Sequence, residues 1–240
     1  MSDASDLPER GSNGQGSNPP ALNLPAAVTA SIVIILVVYV LGAYVLSADA
    51  RDAMFFYGGF IPARYTYPLA EQGLEWLWTP VTYSFLHGGV EHLGFNALWL
   101  AAFGAPVVRR IGTARFIVFW AVSSVASAAL YLGLHWNEAS LLIGASGVIS
   151  ALMGAACRFA FPPDQRRSAR QVHLYPRLSI ADSLRSRTVA MFMLVWFIGN
   201  VIFALGIPLL GDIGNVAWEA HIGGFLFGFL LFALFDPKPR

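Results

Sequence analysis

Two side chains capable of covalent chemistry sit inside apolar sequence. Ser146 lies in the tetrad Gly144, Ala145, Ser146, Gly147, and His221 opens the last hydrophobic run. A hydroxyl and an imidazole are the nucleophile and general base of acyl transfer. Polar residues within apolar spans are costly and face a bundle interior, where they serve function or packing. For Ser146 the bland alternative is a small residue at a helix contact. Its flanking glycines favour chemistry, because they leave the backbone open to approach and the free amides of a helix start can face a developing negative charge. For His221 the alternative is a structural histidine bonded to a neighbouring carbonyl. Glu219 is two residues away and points elsewhere on a helix, and Asp212 falls in a loop, so the expectation is a Ser–His dyad without a third member.

His92 and Asn96 are four residues apart and share one helical face. Their N–H groups could complete a hole for a tetrahedral oxyanion, or could serve only as interhelical hydrogen bonds. His87, before Gly88 and Gly89, reads as a tie for the entry loop. A metal site from His87, His92 and His221 lacks any HExxH or carboxylate-rich cluster, so no metal and no cofactor are expected. The single cysteine, Cys157, excludes an internal disulfide or paired-cysteine site.

These residues need apolar elements to hold them. The chain of 240 residues is 56% hydrophobic and 12% charged, with a mean hydropathy of +0.59, whereas soluble domains carry roughly a quarter charged residues. Apolar runs near the roughly 20 residues that cross a bilayer cover residues 28–46, 116–134, 141–161, 188–205 and 216–235, with a sixth, interrupted by polar residues, at 90–108. The expected fold class is an all-α membrane protein of six transmembrane helices. Residues 1–25 lack apolar periodicity and read as a disordered tail. The first run is too long, and its leader too acidic, for a cleaved signal peptide. A net charge of +1 gives no reason to expect nucleic-acid binding.

Lys and Arg stay on the cytoplasmic side of short loops. Arg109, Arg110 and Arg115 follow the second run, six arginines lie between positions 166 and 187, and Lys238 and Arg240 follow the last. All three groups fall on one side if six helices leave both termini in the cytoplasm. The segment 47–77, rich in aromatics, then reads as an external loop lying partly in the headgroups. Runs two, four and six enter from the outside, so His92, Asn96, Ser146 and His221 come early in each. With residue 141 as the outer end of its helix, Ser146 would lie roughly 8 Å down it. Small residues at four-residue spacing, Gly147, Ala151 and Ala155 on one run and Ala220, Gly224 and Gly228 on another, allow two backbones to approach closely.

With these residues in view, the chain resembles the rhomboid intramembrane serine proteases. The resemblance covers roughly residues 28–236 and rests on HxxxN at His92 and Asn96, GxSG at Gly144 to Gly147, and AHxxGxxxG from Ala220 to Gly228. It implies a six-helix protease domain over residues 26–236, with residues 1–25 and 237–240 as cytoplasmic tails, in a bacterial inner membrane. It also implies Ser146 as nucleophile, His221 as general base and then acid, and His92 and Asn96 as oxyanion stabilisers. The expected substrates are single-pass transmembrane proteins in the lipid bilayer, cut without cofactor; a catalytically silent relative that binds such clients is the alternative. Three positions depart from the family pattern: Thr79 follows Trp78 where an arginine is common, Val108 replaces a glutamate, and Ser150 replaces an aromatic that stacks on the histidine. Span five, with Trp196 and Phe197, is the expected gate.

Overall fold

The computed structural model describes residues 23–161, 169–205 and 216–237. Most of the N-terminal tail, Arg166, Arg167, Asp212, Lys238 and Arg240 lie outside them. Every regular element among the described residues is helical, apart from one isolated bridge between Phe60 and Leu142.

Helix α1 (Ala26–Val40) starts immediately after Pro25 and ends in a π turn, Leu41–Val45. Ser47 then caps α2 (Ala48–Gly58), its Oγ accepting from the Ala50 amide at 3.3 Å. Helix α3 (Glu75–Thr82) leads through a tight turn to α4 (Val90–Trp99), which continues by a π turn, Leu100–Gly104, into α5 (Ala105–Ile111). Pro106 has no N–H to return to the preceding turn, and the helix passes this point in the wider π register. Gly112, at φ +80°, stops α5 and turns the chain into α6 (Thr113–Leu134). Helices α7 (Ser146–Ala156), α8 (Ile180–Arg185), α9 (Arg187–Ala204) and α10 (Trp218–Leu231) complete the bundle.

Two helical segments, Ala26–Val45 and Thr113–Leu134, are long and apolar enough to cross a membrane, and Ser146–Ala156, Arg187–Ile202 and Trp218–Leu234 are shorter apolar helices. Their outward residues are apolar too: Val33, Leu36, Ile117, Val125, Leu194 and Ile198 are all exposed. Such a surface suits lipid rather than water.

Helix α7 is the buried centre, with every residue from Gly147 to Ala156 inside the protein. It runs parallel to α10 along a seam without side chains. A methyl group on Gly224 would overlap the Gly147 carbonyl, one on Gly228 the Ala151 carbonyl, and one on Gly154 the Phe225 carbonyl. Helix α6 lies antiparallel against both. Ser127 Oγ fits beside Gly147 and Gly224, while Gly223 faces Leu130 and the Ala126 carbonyl.

One expectation is corrected here. The fourth apolar run does not begin as a helix at residue 141: residues 141–145 are non-helical, and α7 starts at Ser146. Leu142 exchanges two backbone hydrogen bonds with Phe60, at 2.9 and 3.1 Å, and Gly144 sits at φ +111°, which a right-handed helix cannot contain. The extended strip ties the 47–77 segment to the body of the protein. That segment is itself built, holding α2 and the start of α3. Arg64, buried among them, donates to the Gly59 carbonyl at 3.0 Å and to the Phe56 carbonyl, with its guanidinium 4.7 Å over the Phe56 ring.

Arg110 is also not a free loop charge. It is buried, holds Asp236 through two bonds of 3.0 and 2.9 Å, and donates to the Tyr175 carbonyl at 2.6 Å, with Arg177 adding a 3.2 Å bond to the same carboxylate. Arg158, just beyond α7, donates to the Phe229 carbonyl at 2.6 Å and to Leu178 at 2.9 Å. These bonds fasten the ends of α5, α7 and α10 together.

Candidate active site

Because α7 and α10 are parallel and in register at Gly147 and Gly224, the start of α7 falls beside the first two turns of α10, which begins about five residues further out at Trp218. Ser146 is the first residue of α7, and His221 lies one turn before Gly224 on α10. Both are half-buried, so they remain approachable, whereas Ala145, Gly147 and Ala220 beside them are closed off. The first amides of α7 lack acceptors within their own helix and point toward its N-terminus, next to Ser146.

Helix α4 supplies the third wall. His92 Nε2 and Asn96 Nδ2 both lean over Gly144, two residues before Ser146. A Cβ at Gly144 would come within 2.5 Å of the imidazole nitrogen and 3.7 Å of the amide nitrogen. The glycine therefore answers two demands, its left-handed φ and the space above its Cα. Asn96 is buried and its Nδ2 has no hydrogen-bond partner among the described residues. A buried amide donor left unpaired costs about 1–3 kcal/mol, so its orientation toward Gly144 calls for an acceptor there. The His87 and His92 rings lie 4.9 Å apart, and His87 is buried. Among the described residues no group of three or more His, Cys, Asp or Glu is arranged to hold a metal ion.

One residue at this site escaped the sequence reading. Asn200, about one turn from the C-terminal end of α9 and buried, places its Oδ1 2.9 Å from His221 Nδ1, while its Nδ2 donates to the Trp196 carbonyl at 2.8 Å. Asn200 is a solitary polar residue in an otherwise apolar stretch from 189 to 205, and that isolation was the available signal. Glu219 does point away from His221, as its helical position requires. Its Oε1 lies 3.0 Å from Nε2 of His135, whose Nδ1 meets Glu138 Oε2 at 2.7 Å.

The outward face of this helical bundle is apolar, as a membrane-embedded protein requires. Residues 75–237 match the model of the rhomboid domain, and the chain belongs to the rhomboid family, whose domain is a membrane helical bundle. It is similar to proteins named rhomboid protease GlpG from Yersinia pestis (strain Pestoides F), 28% identical over 165 residues, and Serratia proteamaculans (strain 568), 29% identical over 167 residues. Each alignment covers 68% of this chain but 49% and 50% of the relatives. The chain thus spans about half the length of the curated relatives it matches.

Proposed function

We propose that the protein is an intramembrane serine endopeptidase that hydrolyses peptide bonds in or near the transmembrane segments of single-pass membrane proteins. In this reading it crosses a bacterial inner membrane six times over residues 26–236, with both termini cytoplasmic and the Ser146 end of the bundle near the outer surface. Ser146 Oγ attacks the scissile carbonyl carbon as its proton passes to His221 Nε2, the nitrogen that Asn200 leaves free. The oxyanion is held by N–H donors of His92 and Asn96 and by the first amides of α7. Collapse breaks the C–N bond while His221 returns the proton to the leaving amine. Water, activated by the same imidazole, then releases the acyl group and restores Ser146.

The observation that carries this reading is the glycine seam of α7 on α10, which aligns the Ser146 and His221 ends with nothing larger than hydrogen between the backbones. A substrate helix must unwind to offer its carbonyl, and lipid cannot replace the lost backbone bonds, so substrates with glycine or other small residues near the cleavage point should be cut best. The test is cleavage of a tagged single-span substrate, together with labelling by a serine-reactive phosphonate. Wild type should cleave and label; Ser146→Ala and His221→Ala should do neither. Unchanged cleavage by Ser146→Ala, or wild type that binds substrate without labelling, would remove the hydrolase reading, and the second result would favour a client-binding relative.

A further inference from the structure

We propose that Asn200 is a positioning residue that fixes the tautomer of His221, holding the proton on Nδ1 and leaving the Nε2 lone pair to act as base. The inference rests on the dyad reading above and assigns a role to a residue outside the dyad.

The orientation of the Asn200 amide is determined by its two partners. The Trp196 carbonyl only accepts, so the atom 2.8 Å from it must be the NH2 group, and the atom 2.9 Å from His221 must be the amide oxygen. That oxygen cannot donate, so the imidazole nitrogen facing it must carry hydrogen. In a neutral imidazole the other nitrogen is then bare, which is the form that can take a proton from a hydroxyl. The amide is itself held firmly. Asn200 is 4% exposed, and the Trp196 ring, one turn earlier, stacks on Phe225 of α10 with centroids 4.3 Å apart. A buried asparagine of this kind would otherwise be an expensive guest in an apolar helix. The bond also supplies an in-plane restraint on the ring, at a site where Ser150 offers no aromatic face.

The full chain in detergent, with a fluorogenic transmembrane substrate, provides the test. Asn200→Ala should lower kcat by on the order of a hundredfold, within the range that a correctly poised general base contributes, and leave KM nearly unchanged. Asn200→Asp should retain more activity. Because a carboxylate stabilises the imidazolium, it should also move the acid limb of the pH–rate profile to higher pH. A purely structural role would move neither KM-independent kcat nor that limb. Histidine 15N NMR of the wild type, with the His221 signals assigned by their loss in His221→Asn, reads the tautomer without any need for turnover. Protonated Nδ1 with bare Nε2 is expected, with loss of that pattern in Asn200→Ala. A His221 proton on Nε2 in the wild type, or both variants matching wild type in kcat and pH limb, would overturn the assignment. An inactive wild type that shows the expected tautomer would instead count against the dyad.

Discussion

Asn96 shows how one side chain can carry a functional cost. Its amide nitrogen is buried, unpaired among the described residues and turned toward Gly144 beside His92 Nε2, and a donor held dry without an acceptor gains most when negative charge forms in front of it. Asn96→Ala and His92→Ala should each reduce kcat by roughly a hundredfold, the cost typical of losing one oxyanion donor, while KM changes little; steady-state kinetics on a transmembrane substrate would decide. Equal losses in kcat and in substrate affinity would instead make them substrate-binding groups. Their spacing was legible in sequence, because a separation of four is enough to define a shared helical face. Asn200 was not, since its partner lies on another helix and no local pattern reports a contact across 21 positions. Glu219 turns away from His221 as its helical spacing requires, but its partner His135 lies 84 positions earlier, beyond the reach of any local pattern.

At the scale of elements, the seam between α7 and α10 sets the geometry. Gly228 faces the Ala151 carbonyl, carbon and Cα, all backbone atoms that cannot rotate aside. Gly228→Val should therefore push the helices apart, destabilise the bundle by about 3 kcal/mol or more, and reduce activity even though no reacting atom changes. Thermal unfolding in detergent beside the cleavage assay would test this, and a variant with wild-type melting and activity would contradict the seam. The small-residue spacing announced the seam from sequence, as hydropathy announced most helix limits to within a few residues. It failed at residues 141–145, because an apolar composition is compatible with an extended strip and cannot register the positive φ of Gly144 or the pairing of Leu142 with Phe60. The consequence is favourable to chemistry: Ser146 stands at a helix start, where amides are free, rather than about one and a half turns inside a helix, where they would be consumed.

For the molecule as a whole, the two ends of the bundle are fastened by different chemistry. At the end away from Ser146, Arg110 and Asp236 form a buried ion pair that Arg177 joins from the side. At the Ser146 end the clamp is His135, whose two ring nitrogens face the carboxylates of Glu138 and Glu219 while its ring lies 4.3 Å from that of Tyr131. Both nitrogens can donate at once only in the imidazolium. Partial burial pulls the His135 pKa down, but hydrogen bonds and charge from Glu138 and Glu219 outweigh it, and the net shift is upward from the ordinary value of 6.5. A histidine raised in the folded state stabilises fully below its unfolded value and loses that contribution as pH climbs through its folded value. Wild type should therefore hold a melting advantage over His135→Gln below pH 6.5 and lose it progressively above, the exposed pair with Glu138 contributing about 1 kcal/mol or less and the buried Glu219 carboxylate adding to it. The difference between the two melting curves isolates this histidine from His87, His92, His173 and His221, which both proteins share. A difference independent of pH would mean that the imidazole packs at the mouth of the site without serving as a charged link. A difference that grows with pH would reverse the sign of the clamp. Since Glu219 starts the turn that carries His221, loosening this clamp should also blunt activity on the alkaline side.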